Sequence, residues 1–180
     1  KNKLADHDSL YECGVSLQEG ESPKDLFGAE ANRLGGGSFS IHYDAEGGGA
    51  VLPERYGLMD EERKVSINIA WNKPNDVSEF KRVLKGLSGR FTDATIKAII
   101  DWQYADPDPL PGGAEDSYYK GLRHPYLCKN AKFDTVEELL LVKGVSEPIY
   151  NEIKDLITVY GEGKININTA PEKVLQAVLN

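Results

Sequence analysis

Between residues 101 and 119 the chain reads DWQYADPDPLPGGAEDSYY, placing Asp101, Asp106, Asp108, Glu115 and Asp116 around three prolines and the pair Gly112-Gly113. Oxygen donors at that density suit calcium, which takes roughly six to eight oxygen ligands from carboxylates, carbonyls and water. The prolines limit the conformations of the unfolded loop, and the glycines permit a sharp turn. The spacing is not that of an EF-hand, because Pro107 and Pro109 alternate with the acids and no glycine takes the required place after Asp106. All five acids are candidate ligands of a structural calcium ion. The competing reading is a solvated loop in which Asp106 and Asp108 make Asx-turns and Glu115 or Asp116 caps a short helix at Tyr118-Tyr119. A catalytic carboxylate pair has much less support, since glycoside chemistry needs two carboxyls at a defined separation and no substrate cleft is legible. A second acidic cluster, Asp60-Glu61-Glu62, reads as a solvated turn that would add ligands only if folding carried it to the loop.

Other chemistry is sparse, and no enzyme is expected. His7, His42 and His124 lie in separate segments with no nucleophile-base arrangement. Gly35-Gly36-Gly37 lacks the lysine and following helix of a phosphate cradle, and no GxSxG elbow or Walker loop occurs. Cys13 and Cys128 are not in CxxC spacing, so a zinc or thioredoxin-type site has little support, while a disulfide and two thiols both remain open. Residues 139–153, LLLVKGVSEPIYNEI, have the form of a helix-hairpin-helix, the module that offers turn amides to DNA phosphates. Yet Ser146 stands where a second glycine is preferred, and between Ala131 and Tyr160 three lysines face six acids. That balance opposes phosphate binding, as does the formal net charge of −8. Trp71 and Trp102 fit strand and helix patterns as core or interface anchors.

The elements that must position these residues divide the chain. At 180 residues, with 40% hydrophobic and 28% charged residues, it has the composition of a globular protein of one domain or two small ones. The run Leu139-Leu140-Leu141-Val142 is far shorter than the roughly 20 residues of a membrane-spanning helix. A weak helical or arm-like signal covers Ala5 to Gln18. Phe39, Ile41 and Tyr43 alternate with polar residues as a half-buried strand should, Gly47-Gly48-Gly49 supplies a turn, and a return strand is expected at Ala50-Val51-Leu52. Lys64 to Ile69 reads as a further strand. Helices are expected from Asp76 or Ser78 to Gly86, from Thr92 or Asp93 through Trp102, from Asp134 or Thr135 with a Thr135/Glu138 capping box, from Glu147 to about Val159 with Pro148 in its first turn, and after Pro171. The segments YGLMDEERKVSINI (56–69) and YGEGKININ (160–168) echo one another and suggest two related supersecondary units. Asn166 and Asn168 read as turn and cap residues. The fold class is α+β.

The ordered set YGLMDEERKVSINI, DWQYADPDPLPGGAEDSYY, TVEELLLVKGV and VYGEGKININTAPEKVL resembles the type II secretion minor pseudopilin K family, GspK, over roughly residues 56–180. The most specific parts are Asp101-Trp102, Gly113 to Asp116 and Asn166 to Ala170. The resemblance implies a pilin-like β-sheet portion with a large inserted helical domain, SAM-like or helix-hairpin-helix-like. It divides the chain into a β-rich portion at 1–70, the helical insertion at 71–160 and a returning ININTA strand and helix at 161–180. It also implies calcium binding, a periplasmic location, and anchoring to the inner membrane through an N-terminal helix that follows a cleaved leader. The chain begins Lys-Asn-Lys without that leader or helix and ends without the β structure that usually follows ININTA, so it is expected to be a processed or trimmed periplasmic portion. The implied function is non-enzymatic: assembly with pseudopilins I and J and the pseudopilus, as a tip that starts and caps the filament, with a secreted substrate or the secretin as further partners. The alternative is a helix-hairpin-helix nucleic-acid-binding module.

Overall fold

A computed structural model describes residues 22–30, 32–43, 55–68 and 77–179. The described residues fall in two compact units that divide between Asp60 and Glu61.

In the first unit, helix α1 (Pro23–Phe27) begins where Ser22 donates both its N–H and its hydroxyl to Asp25 Oδ2, each at 2.7 Å. These bonds hold the Asp25 carboxyl below its usual range. Strands β1 (Arg33–Leu34) and β2 (Gly37–Ser38) pair antiparallel across Gly35-Gly36, with Gly35 at φ 61°. The glycine run is therefore a hairpin turn, where the first loop residue needs a positive φ. β3 (His42–Tyr43) pairs antiparallel with β4 (Arg55–Tyr56), His42 opposite Tyr56. The strand expected around Phe39 is broken in two because Phe39 N–H donates to Asn32 O and Ile41 N–H to Phe27 O. The expected Gly47–Gly49 turn and its return strand, the Ala5–Gln18 signal, Trp71 and Cys13 lie outside the described residues.

The second unit is built on helix packing. Helix α2 (Ser78–Leu87) buries Phe80, Val83, Leu84 and Leu87, the one-sided stripe its sequence spacing requires. Val77 occupies its N-cap without a side-chain bond, so Ser78 is not the expected cap. Helix α3 (Asp93–Gln103) starts at Thr92, whose Oγ1 accepts Thr95 N–H at 3.1 Å. It buries Ile96, Ile99, Ile100 and Trp102. Lys81 and Lys85 both reach Asp93 and tie α2 to the start of α3, holding the Asp93 carboxyl down at about 2. Helix α4 (Asp116–Lys120) and a 3-10 helix (Val136–Leu141) follow. Asp134 and Thr135 donate their N–H groups to Glu138 Oε1 at the start of that 3-10 helix, as the capping spacing predicts, although the helix is tighter than the α form expected.

Helix α5 (Glu147–Ile153) is shorter than expected, and β5 (Val65–Ser66) pairs in parallel with β6 (Ile157–Thr158). The β-branched run Ile157-Thr158-Val159 leaves the helix to take that pairing, where both strands are buried. The expected 64–69 strand is correspondingly short, since Ile67-Asn68 turn into a 3-10 conformation. The ININTA segment is a turn rather than a returning strand. Asn166 Oδ1 accepts Asn168 N–H at 3.1 Å, and Asn166 O accepts the N–H groups of Thr169 and Ala170. Side-chain competition for nearby amides draws it out of extended geometry. The internal echo is thus one of sequence, with different structures in its two copies.

Helix α6 (Glu172–Leu179) lies on α2, where a Cβ added at Gly86 would stand 2.8 Å from both Cα and Cβ of Ala177. Arg82 donates to Ala177 O at 3.1 Å and Val178 O at 2.8 Å, satisfying the last carbonyls of α6. Gly86→Ala should therefore lower the melting temperature. Helix propensity alone favours alanine by about 1 kcal/mol, but overpacking costs about 1–3 kcal/mol. A higher melting temperature in the variant would show that the helices part without cost.

Candidate functional site

The acidic loop closes over the end of α3. Asp101 is 3% exposed, and its carboxylate accepts Leu110 N–H at 3.2 Å and Ala114 N–H at 2.8 Å. Burial pushes its pKa up to about 6, against the opposing pull of these amides, and the charge of Asp106 adds to the rise. A Cβ at Gly113 would fall 1.8 Å from Asp101 Oδ2, so only glycine lets the backbone pass this close.

Glu115 stands at the N-cap of α4 but makes no cap bond. It is 2% exposed, and its Oε1 has no hydrogen-bond partner. Burial drives its pKa up to about 7; a bond from the Cys128 thiol opposes this, while Asp101, Asp106 and Asp116 reinforce it. Cys128 is a buried free thiol, pushed up to about 12 by burial and then by the charge of Glu115.

The other acids are engaged locally. Asp106 Oδ1 accepts Asp108 N–H at 2.9 Å, the Asx-turn anticipated from sequence. Asp116 pairs with Lys120 at 2.9 Å and accepts Cys128 N–H at 2.9 Å, and both contacts hold its carboxyl below the usual range, the lysine more strongly. The charges of Asp101, Asp106 and Asp116 thus all reach Glu115, and that of Asp106 reaches Asp101. Among the described residues, no three His, Cys, Asp or Glu side chains converge closely enough to hold a metal ion as they stand. In the Asp60–Glu62 cluster Glu61 pairs with Lys64 at 3.0 Å, and the main-chain O of Glu62 accepts Asn166 N–H.

Lysines secure the glycine end of the loop from outside. Lys97 Nζ donates to Pro111 O at 2.9 Å, and Lys143 Nζ donates to Gly113 O at 2.9 Å while standing 4.8 Å above the Tyr118 ring. Lys143 belongs to the hairpin between the 3-10 helix and α5, where Gly144 takes φ 82° and packs so that a Cβ would meet Thr95 Oγ1 at 2.6 Å. Sequence reasoning placed this hairpin but missed that its lysine serves the acidic loop. Behind it Trp102, Tyr119 and Tyr126 form an aromatic cluster, Trp102–Tyr119 edge-on at 5.2 Å and Tyr119–Tyr126 stacked at 5.3 Å.

Asn68 was also missed. Its Nδ2 donates to Phe133 O at 3.1 Å and Val159 O at 2.8 Å, and its Oδ1 accepts Phe133 N–H at 2.9 Å. One buried amide thereby joins the end of β5, the segment before the 3-10 helix and the end of β6. Only its place in the Ile/Asn run of the sequence marked it.

These residues belong to an α+β scaffold with a braced acidic loop. The profile of the family described as Type II secretion system (T2SS), protein K, matches residues 63–162, more than half the chain, and the chain belongs to that family. The match takes in both the acidic loop and the hairpin. Among curated relatives, Type II secretion system protein K of Aeromonas hydrophila is 34% identical over 110 residues, covering 59% of this chain and 33% of the relative. The protein of the same name from Pseudomonas aeruginosa is 33% identical over 110 residues, with the same coverage of 59% and 33%. The chain thus spans about a third of the length of these relatives. The fold is shared with a chain in the crystal structure of the GspK-GspI-GspJ complex from the enterotoxigenic Escherichia coli type 2 secretion system. That likeness has a TM-score of 0.56 and 20% identity, over 66% of this chain and 47% of the other.

Proposed function

We propose that the chain is the periplasmic, non-enzymatic part of a minor pseudopilin that assembles with pseudopilins I and J at the tip of the type II secretion pseudopilus. The observation that carries this reading is the family match over residues 63–162, and the neighbour of known structure, solved together with GspI and GspJ, supports the choice of partners. In this reading the short strand pairs of residues 33–56 belong to a pilin-like sheet, and the SAM-like helical unit caps the filament by occluding the next stacking position. In this reading the full-length protein is anchored to the inner membrane; among the described residues no helix is long and apolar enough to cross a membrane. A nucleic-acid role has no comparable support, because the hairpin turn packs on Thr95 and its lysine is taken up by loop carbonyls. Mixing the chain at micromolar concentration with the periplasmic parts of pseudopilins I and J should give co-elution on size exclusion. Separate elution of all three would contradict the reading.

We also propose that the acidic loop holds a structural calcium ion. What supports it is the chemistry of the donors: Glu115 is buried with an unpartnered oxygen, and the negative charges of Asp101 and Asp106 oppose its ionisation. Asp101, Asp106 and Glu115 would hold the ion, with Asp106 Oδ1 also accepting Asp108 N–H, and with Asp108 and Asp116 as flanking carboxylates, the latter bound to Cys128 N–H and Lys120. The ion would supply the positive charge that the cluster lacks and so favour the folded loop.

A further inference from the structure

We infer that Lys143 is a positioning residue of the acidic loop: from the hairpin, through the Gly113–Ala114 peptide, it fixes the Asp101 carboxylate and so sets the loop's affinity for a cation. The affinity half rests on the calcium reading above. Gly113 C=O and Ala114 N–H belong to one peptide group, and in a planar trans peptide they point in opposite directions. Lys143 Nζ donates to that carbonyl at 2.9 Å, and the N–H donates to Asp101 Oδ2 at 2.8 Å. An ammonium and a carboxylate therefore grip one peptide from its two ends. Each polarises it in the sense that strengthens the other's bond, and bonds to charged groups are already the stronger kind. The Lys143 charge also reaches Asp101 and favours its ionised form.

Both ends of the bridge are anchored independently. Asp101 also accepts Leu110 N–H, while Leu110 O accepts Gly113 N–H at 2.7 Å, so the carboxylate closes the mouth of a turn. These amides use part of the roughly four lone-pair sites of a carboxylate and leave the others for an ion. A carboxylate already held in one orientation gives up less freedom when it takes that ion. On the other side, Lys143 N–H donates to the Tyr119 hydroxyl at 3.3 Å, a contact that does not involve the ammonium. Lys97 supplies the contrast. Its Nζ holds Pro111 O, but the N–H of that peptide, on Gly112, is not among the amides that Asp101 accepts.

The test is amide hydrogen exchange in EDTA, followed by calcium titration, on wild type, Lys143→Met, Lys143→Arg and Lys97→Met. Methionine keeps an apolar stem and removes the ammonium. Ala114 N–H should exchange about tenfold faster in Lys143→Met, the loss expected for a bond to a charged group. It should return toward the wild-type rate in Lys143→Arg and stay near it in Lys97→Met. Val145 N–H, which donates to Val142 O within the hairpin, should keep its rate throughout. Calcium should bind about tenfold more weakly in Lys143→Met. An unchanged Ala114 rate in that variant would overturn the bridge, and so would a matching rise at Val145, which would show the whole hairpin loosening. Equal or tighter calcium binding would overturn the affinity half, because the ammonium would then act on the ion by repulsion or not at all. If wild type binds no calcium, the calcium reading fails and takes the affinity half with it, while the Ala114 rate still upholds or overturns the bridge.

Discussion

Replacing Asn68 with alanine is expected to lower the unfolding free energy by about 3–5 kcal/mol, because each polar group left buried and unsatisfied costs about 1–3 kcal/mol. Three groups lose their partner at once: Phe133 N–H, Phe133 O and Val159 O. These bonds tie segments distant in sequence, so the loss falls on the parallel β5–β6 pair and on the entry to the 3-10 helix together. Against a total stability of roughly 5–15 kcal/mol this is a large fraction, and urea unfolding at neutral pH should show it as a lower midpoint with an unchanged slope. Asn68→Asp should also destabilise the unit, since the carboxylate keeps the acceptor for Phe133 N–H but removes both donated bonds and adds a buried charge. A change below about 1 kcal/mol in the alanine variant would mean that water satisfies these groups.

In EDTA, stability should fall as pH rises from about 4.5 to 7.5. Asp101 and Glu115 have folded-state values raised to about 6 and about 7, from 3.8 and 4.5. Their protonated forms are favoured in the folded state, so their contribution is fully present below the unfolded values and is lost as pH passes upward through 6 and 7. The depressed carboxyls act in a different window. Asp93, Asp116 and Glu152 contribute above their unfolded values and lose that contribution as pH falls below about 4. Melting curves between pH 4.5 and 7.5 therefore isolate the acidic loop, and a drop of about 5 °C or more is expected across that range. Glu115→Gln should flatten the profile and melt higher than wild type at pH 7.5 in EDTA. A wild-type profile that rises across this range would place the dominant titration elsewhere.

Much of the helical unit was legible because its signals are local. Thr92 ahead of a run with Ile96, Ile99 and Ile100 specifies both the start and the buried face of α3, and Asp106 with Asp108 two residues on specifies an Asx-turn. What could not be read depends on distance. Asp101 looks like one more acid in a loop, and only the return of Leu110 and Ala114 onto it makes it a buried hub. Lys143 lies far along the chain from the carbonyls it binds, and Asn68 is defined by partners at Phe133 and Val159. The Ile157-Thr158-Val159 run was assigned to a helix because a short apolar stretch has no decisive period, and the pairing with Val65-Ser66 decides it. The ININTA segment shows the reverse failure, in which an alternating pattern is overruled by the Asn166 side chain taking the nearby Asn168 amide.

The proposed calcium clamp in the acidic loop is tested most directly by thermal unfolding at pH 7.5 in EDTA, then with calcium returned, with magnesium as the control. A calcium-selective rise is expected, reaching about 2.7 kcal/mol of added stability at a hundredfold excess over the dissociation constant, and lost in Glu115→Gln and reduced in Asp106→Asn. Identical melting in EDTA, calcium and magnesium would contradict the clamp and leave the acids as turn, cap and amide-binding groups.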